Sequence, residues 1–304
     1  MTSNDVKLSI IIVSFNNRDI TAQCLRSIYS ATWDFSFEII LVDNHSQDDT
    51  LEYVRLNFPD IRVIANDDNK LFAIANNQGA KIAKGEYILL LNNDTIVEGD
   101  NLSKLVHYLE SLPEKIVCVG PKILNPDGSI QSQGHVLKCS GSIVTNLLLH
   151  KILPDALILR LLPAGIPIRR PIAREVGWVL GACMLVRADY YHASGGLNER
   201  LIFYGEEPEF SWRAKKNRKE TWYYPEANII HLGGASTDSN WGNTMFINAR
   251  LTLVKLTYGI PLAILEELIL MSITFFKLIF SFKAKYREQL KTRRLFILLY
   301  LKNF

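Results

Sequence analysis

Residues 8–17 read Leu8-Ser9-Ile10-Ile11-Ile12-Val13-Ser14-Phe15-Asn16-Asn17, an apolar, β-branched run of strand length that breaks abruptly into polar residues. The same form returns twice: residues 37–42 run into Asp43-Asn44-His45-Ser46, and residues 87–91 into Asn92-Asn93-Asp94. Short apolar runs bounded by polar breakers are the signature of buried strands. Residues 61–65 and 116–119 are further runs of this kind, with helical stretches near 19–30, 48–57, 72–83 and 100–110 between them. Strands alternating with helices predict an α/β fold: right-handed crossovers and a Rossmann-like, mostly parallel sheet flanked by helices. Asp48 or Asp49, and Asp100, are expected to cap two of those helices.

Beyond residue 120 the regularity lapses. Residues 121–175 scatter Pro, Gly and Ser among apolar clusters and read as a long excursion over one sheet edge. A strand is then expected over 179–186, helices from Ala188 and over 206–216, strands at 220–224 and 228–231, and a helix over 242–258. There is no internal repeat and no low-complexity tract.

With 304 residues, 48% of them hydrophobic, the chain can bury a sizeable core, which excludes disorder for most of it. Cys24, Cys118, Cys139 and Cys183 form neither a CxxC pair nor a zinc spacing, so reduced thiols in a cytosolic compartment are expected. The first residues lack the pattern of a signal peptide. The formal net charge is +3, but residues 277–304 hold eight of the 34 Lys/Arg and one of the 31 Asp/Glu, leaving 26 bases against 30 acids before them. The apolar segment 260–282 is interrupted by Glu266, Glu267 and Lys277, and its uncharged stretch 268–276 is shorter than the ~20 residues of a spanning helix. A helical segment over 259–304 with this basic end suits the surface of an anionic membrane, which predicts a peripheral protein on the inner face of the cytoplasmic membrane. Packing on the domain or on a second subunit, as a homo-oligomer, is the alternative. A nucleic-acid partner is not expected.

In an open parallel sheet, ligands bind outside the carboxyl ends of the strands. Three polar clusters converge on that rim: Ser14 to Asn17, Asp43 to Ser46, and Asn92 to Asp94. No GxGxxG follows the first strand and no Walker A loop is present, which excludes the usual dinucleotide fingerprint and the P-loop. Asp43 and Asp94 taken singly read as turn residues as readily as ligands. Together, a carboxylate beside a diphosphate can hold a hard divalent cation. His231 alone reads as a structural histidine or a ligand. The acidic run Glu206-Glu207-Pro208-Glu209 can complement a helix dipole or supply a general base, and both roles can coexist. Trp178, near Gly177 and Gly181, can present its face to a sugar or sit in the core.

Seven segments in order carry a resemblance: SIIIVSFNN (9–17), LVDNHSQDDT (41–50), Asn69 to Gly79, YILLLNNDTIV (87–97), GWVLGACMLVR (177–187), GGLNERLIFYGEEPEFSWR (195–213) and IIHLGGAST (229–237). The chain over residues 8–235 resembles the bacterial family 2 glycosyltransferases of the GT-A fold, most like the rhamnosyltransferase-like enzymes of O-antigen and cell-surface polysaccharide assembly. The resemblance implies a GT-A domain over 1–258, with a nucleotide-binding half (1–120) and an acceptor and catalytic half (121–258). It implies that Asp43 accepts the N3–H of a uracil or thymine ring, and that Ser14, Asn16, Asn69, Asn92 and Asn93 contact the nucleotide or donor. Asp94, ending an Asn-Asn-Asp that stands at the family's Asp-x-Asp, and His231 would hold Mg²⁺ or Mn²⁺. Glu207 would be the general base, with Glu206 and Trp178 lining the acceptor and sugar.

Three residues depart from the family pattern. Leu71 stands where relatives carry glycine, Glu207 where Asp is commoner, and Pro208 lacks an N–H. The implied activity is inverting transfer of a sugar, rhamnose from dTDP-rhamnose as the specific expectation, from a dTDP- or UDP-sugar to a glycan or lipid-linked glycan acceptor. A non-catalytic nucleotide-sugar-binding or scaffolding homologue is the rival. A nucleotidyltransferase is disfavoured, because the loop after the first strand has no glycine.

Overall fold

The computed structural model describes residues 6–132, 172–201, 205–233 and 260–281, and part of 286–298. The described residues up to 200 and those over 206–233 form one compact unit; those from 260 onward belong to a second.

In the first unit the strands are β1 (Leu8–Ser14), β2 (Phe37–Asp43), β3 (Arg62–Ala65), β4 (Tyr87–Asn92), β5 (Thr95–Ile96), β6 (Ile116–Leu124), β7 (Ile130–Ser132), β8 (Arg174–Val176), β9 (Cys183–Arg187) and β10 (Glu220–His231). The helices are α1 (Arg18–Ser30), α2 (Thr50–Asn57), α3 (Leu71–Ile82), α4 (Asn101–Ser111), α5 (Ala188–Ala193) and α6 (Glu206–Lys216). The strands form one sheet in the order β3-β2-β1-β4-β9-β6-β10-β5, with β7 added to β6 and β8 to β10. The expected α/β architecture, with helices against a large central sheet, is what the chain builds.

Period-two alternation explains why both faces are covered. Ile10, Ile12, Leu41, Leu89 and Leu91 join a core cluster with Leu25 and Ile28 of α1 and Leu105 and Leu109 of α4. Their neighbours Ile11, Ile40, Val42, Ile88 and Leu90 join the other, with Ala73, Ala75 and Ala80 of α3 and Phe210 of α6. Each fully buried Leu or Ile contributes about 1.5–3 kcal/mol of hydrophobic stabilisation.

Ladders β3–β2, β2–β1 and β1–β4 are parallel. β9 then enters antiparallel to both β4 and β6, and β10 pairs parallel to β6. Several expected boundaries move. The strand expected over 179–186 begins at Cys183, because the residues before it bend. The strands expected at 220–224 and 228–231 are one strand, β10, whose pairing with β6 shifts between Tyr224 and Asn228, where Pro225 supplies no N–H. Neither Asp49 nor Asp100 caps a helix through its side chain. Asp48 does that work for α2: its carboxylate accepts the Thr50 N–H at 3.1 Å and the Thr50 hydroxyl. Of the excursion 121–175, the described ends belong to the sheet, as the end of β6, β7 and β8. Cys139 and the helix expected over 242–258 lie outside the described residues.

The second unit contributes α7 (Ile260–Ser281). Glu267, Leu270 and Thr274 are buried, whereas Leu268, Phe275, Phe276 and Ile279 are exposed on the other side of the helix. Arg293 Nη1 donates to both oxygens of Glu267 at 2.8 Å, a buried ion pair. No described helix is long and apolar enough to cross a membrane.

Candidate active site

The carboxyl ends of β1, β2 and β4 lie side by side, since Val13 is in register with Val42 on one side and Asn92 on the other. After β1 the chain turns sharply: Asn16 and Asn17 take φ of 58° and 62°, a left-handed conformation that asparagine tolerates. The Asn16 N–H donates to Ser46 Oγ at 2.8 Å, and Asn16 Oδ1 accepts the Gln47 N–H at 2.7 Å. The loops after β1 and β2 are thereby tied together. Asp43, 2% exposed, accepts the Ser46 N–H at 3.0 Å and the Ser46 hydroxyl. It is therefore a turn residue, and a carboxylate with two oxygens keeps acceptor capacity for a ligand as well.

Ser14 faces inward. Its hydroxyl is fully buried and shares a hydrogen bond of 2.9 Å with Thr21 Oγ1, which also accepts from Asn93 Nδ2 at 2.9 Å. Asn69 is exposed, and its Oδ1 accepts the Leu71 N–H at 2.9 Å. Sequence reading missed the residue that organises this segment, Asn44. Its buried amide donates to the Leu71 carbonyl at 3.2 Å and accepts from Lys70 N–H and from Asn66 Nδ2 at 3.3 and 2.9 Å. Leu71 itself has φ 65°. A leucine thus occupies the left-handed conformation for which glycine is suited.

The turn Asn92-Asn93-Asp94 leads into β5, where Thr95 pairs with His231 at the end of β10, and Leu232 N–H donates to the Asp94 carbonyl at 2.9 Å. This antiparallel pairing brings residues 137 positions apart together: Asp94 Oδ1 lies 3.1 Å from His231 Nε2. Asn92 Nδ2 is 3.4 Å from the same nitrogen. One carboxylate oxygen and one imidazole nitrogen form a mixed donor set: the oxygen suits Mg²⁺ or Mn²⁺, the nitrogen favours Mn²⁺ of the two, and adjacent ligands of a six-coordinate ion with bonds of about 2.1 Å stand roughly 3 Å apart. No group of three or more His, Cys, Asp or Glu able to hold a metal occurs among the described residues. A cation here would therefore take its other ligands from water and substrate oxygens, which is the usual habit of Mg²⁺ with phosphates.

At the other side of the rim α6 opens with the acidic run. Pro208 is its third residue, where a missing N–H leaves no helical bond unmade. Glu207 Oε1 accepts the Gly181 N–H at 2.8 Å. The next residue, Ala182, accepts the Asn92 N–H at 3.0 Å through its carbonyl. Gly181 and Ala182 therefore link the acidic helix to the Asn-Asn-Asp turn. Burial pushes the Glu207 carboxyl above its ordinary range, offset in part by its own backbone N–H and that of Gly181. Glu206 is 2% exposed, its Oε1 has no hydrogen-bond partner among the described residues, and burial together with neighbouring Glu207 raises it to about 8. Glu209 is spent structurally: it pairs with Arg213 at 3.0 Å, and Arg213 holds the carbonyls of Ser194 and Gly196. Trp178 is partly buried in the bend between β8 and β9, three residues before Gly181.

Comparison with known proteins agrees with this architecture. The family model described as "Glycosyl transferase family 2" matches residues 9–174, more than half of the chain. The O-antigen biosynthesis protein RfbC of Myxococcus xanthus is 28% identical over 76% of the chain, which spans only 18% of that longer protein. The N-acetylglucosaminyl-diphospho-decaprenol L-rhamnosyltransferase of Mycobacterium tuberculosis (strain H37Rv) is 24% identical over 76% of the chain and 77% of its own length. Among solved structures, GalNAc-T7 with UDP, GalNAc and Mn²⁺ superimposes with a TM-score of 0.60 at 17% identity, over 84% of this chain and 48% of that one. That likeness establishes the GT-A fold.

Proposed function

The chain belongs to glycosyl transferase family 2, and from that premise we propose that it moves a sugar, with inversion, from a nucleoside-diphosphate donor to a lipid-linked glycan acceptor in surface polysaccharide assembly. The observation that carries the reading is the 3.1 Å approach of Asp94 to His231 at the sheet end where ligands collect. These two residues would hold Mg²⁺ or Mn²⁺, which would neutralise charge on the departing nucleoside diphosphate. The Mn²⁺ and UDP of GalNAc-T7 support this assignment. The diphospho-decaprenol acceptor and L-rhamnosyl product of the mycobacterial relative support a lipid-linked acceptor and dTDP-rhamnose as the donor to test first.

In this reading Asp43 accepts from the base ring, and the tied loops around Asn16, Asn69 and Asn93 frame the nucleotide and donor. Asn92, beside the metal-binding imidazole, contacts the donor. Glu207 takes the proton of the acceptor hydroxyl as its oxygen bonds to the anomeric carbon and the bond to the diphosphate oxygen breaks. One displacement inverts the centre. Trp178 and Glu206 line the acceptor and sugar side. In this proposal the chain binds an anionic membrane surface, a reading supported by the exposed apolar face of α7 and the basic tail.

The deciding experiment measures transfer from dTDP-rhamnose and UDP-glucose, with Mn²⁺, to a polyprenyl-diphosphate N-acetylglucosamine acceptor, with the anomeric configuration of the product read by NMR. Inverted product, and a loss of about 10²–10⁴-fold in Glu207→Gln, are expected. Retained configuration, full activity of Glu207→Gln, or nucleotide binding without any transfer would refute the proposal.

A further inference from the structure

We infer that Gln131, a residue no motif singles out, is a positioning residue that fixes which nitrogen of His231 faces Asp94. The inference rests on the metal-binding role proposed above for those two residues. Gln131 sits on β7, the short strand that folds back on β6. Its Oε1 lies 2.6 Å from His231 Nδ1. The orientation of its amide is set from the other end: Nε2 donates to Asn125 Oδ1 at 2.9 Å and approaches the His231 carbonyl at 3.4 Å, and both of those atoms can only accept. Asn125 is itself oriented: in the turn joining β6 to β7, Ser129 Oγ gives its hydrogen to Asp127 Oδ1 at 2.6 Å and so accepts from Asn125 Nδ2 at 2.9 Å.

The consequence follows from hydrogen-bond chemistry. With a carbonyl oxygen against it, Nδ1 must carry the hydrogen, and the neutral ring then presents an unprotonated lone pair at Nε2. That lone pair is 3.1 Å from Asp94 Oδ1, and without a cation its only donor among the described residues is the Asn92 amide at a long 3.4 Å, a contact that a bound cation would displace. Two lone pairs facing each other at that distance repel unless a cation unites them. Gln131 thus selects the ring form that can ligate and discards the one that would donate Nε2–H to Asp94 and close the site. Gly233, two residues after His231, adopts φ 64°, and a β-carbon there would stand 3.3 Å from Gln131 Nε2, so the chain keeps room for this side chain.

The test compares wild type, Gln131→Leu and Gln131→Glu. Gln131→Glu keeps an acceptor oxygen for Nδ1, whereas Gln131→Leu removes it. The first readout is independent of metal: ¹⁵N chemical shifts of the His231 ring in the metal-free protein, at a pH where the imidazole is neutral. The Nδ1–H form is expected in wild type and Gln131→Glu, with Nε2–H appearing in Gln131→Leu. The second readout is Mn²⁺ affinity in the presence of UDP, by electron paramagnetic resonance. A loss of about 10–100-fold is expected for Gln131→Leu, with Gln131→Glu retaining wild-type binding or better. A His231 that is Nε2–H in wild type, or that keeps the Nδ1–H form in Gln131→Leu, would overturn the inference. Failure of wild type to bind Mn²⁺ with UDP would instead sink the proposed metal site, while the ring-nitrogen measurement would still decide the role of Gln131.

Discussion

Glu207 Oε1 is held at 2.8 Å by the backbone N–H of Gly181, and a β-carbon added to Gly181 would stand 2.1 Å from that same oxygen. The glycine is needed for close approach alone; its φ lies outside the left-handed region. Gly181→Ala must therefore displace the carboxylate by about an ångström, which is enough to cost roughly 10²-fold in turnover when the displaced group is the base. Steady-state kinetics should show the loss in kcat, while calorimetry of UDP binding stays near wild type. Equal losses in both would mean that the substitution damages the whole rim.

Leu71 tests backbone strain. A left-handed leucine costs roughly 1–2 kcal/mol, and its φ of 65° at the start of α3 is held by Asn44. At ordinary helix positions alanine outranks glycine by about 1 kcal/mol. Here the order should reverse: Leu71→Gly and Leu71→Ala lose nearly the same side chain, but only glycine relieves the strain. Urea denaturation should find Leu71→Gly more stable than Leu71→Ala by about 1 kcal/mol. The ordinary order would show that residue 71 relaxes in solution.

Much of this was legible in the sequence because it depended on local pattern. Buried strands such as Leu8–Ser14 declare themselves as unbroken apolar runs, and polar residues just past them mark the rim. Asp94 and His231 could be paired only through the family resemblance, since nothing in composition says that β5 and β10 will be neighbours. Residues whose role depends on a partner distant in sequence and on backbone geometry left no mark. Gly181 reads as one glycine among 17, Asn44 as one polar residue in a loop, and Gln131 as part of an irregular tract. The antiparallel entry of β9 was equally silent, because an apolar run has no direction.

Glu206 gives stability a pH dependence whose sign is fixed. Its folded-state carboxyl is raised from the ordinary 4.5 to about 8 by burial and by Glu207, so the folded chain holds a proton that the unfolded chain releases. Stability from this group is complete below the ordinary value and is lost as pH rises toward 8. Glu206→Gln, which cannot ionise, should raise Tm relative to wild type more at pH 8 than at pH 5. A Tm difference independent of pH would contradict the buried, proton-bearing state of Glu206.

The apolar face of α7 can be tested apart from catalysis. Phe275 and Phe276 are 53% and 58% exposed, and partial insertion of such rings beside a basic tail should favour anionic bilayers. Flotation with vesicles rich in phosphatidylglycerol should carry the wild-type chain and leave a Phe275→Ser, Phe276→Ser variant behind. Vesicles of phosphatidylcholine should carry neither. Equal flotation of both chains would assign the attraction to charge alone.

The insertion of β9 between β4 and β6 also sets an order of assembly. β3, β2, β1 and β4 can zip together as soon as residue 92 has left the ribosome, yet one border of β4 and one of β6 stay unpaired until residues 183–187 arrive. Bare strand borders are where nascent chains stick to one another. The slow, sequence-distant capture of β9 and then of β10 should therefore govern how fast the protein matures, and truncation before residue 183 should yield an aggregating fragment instead of a smaller folded domain.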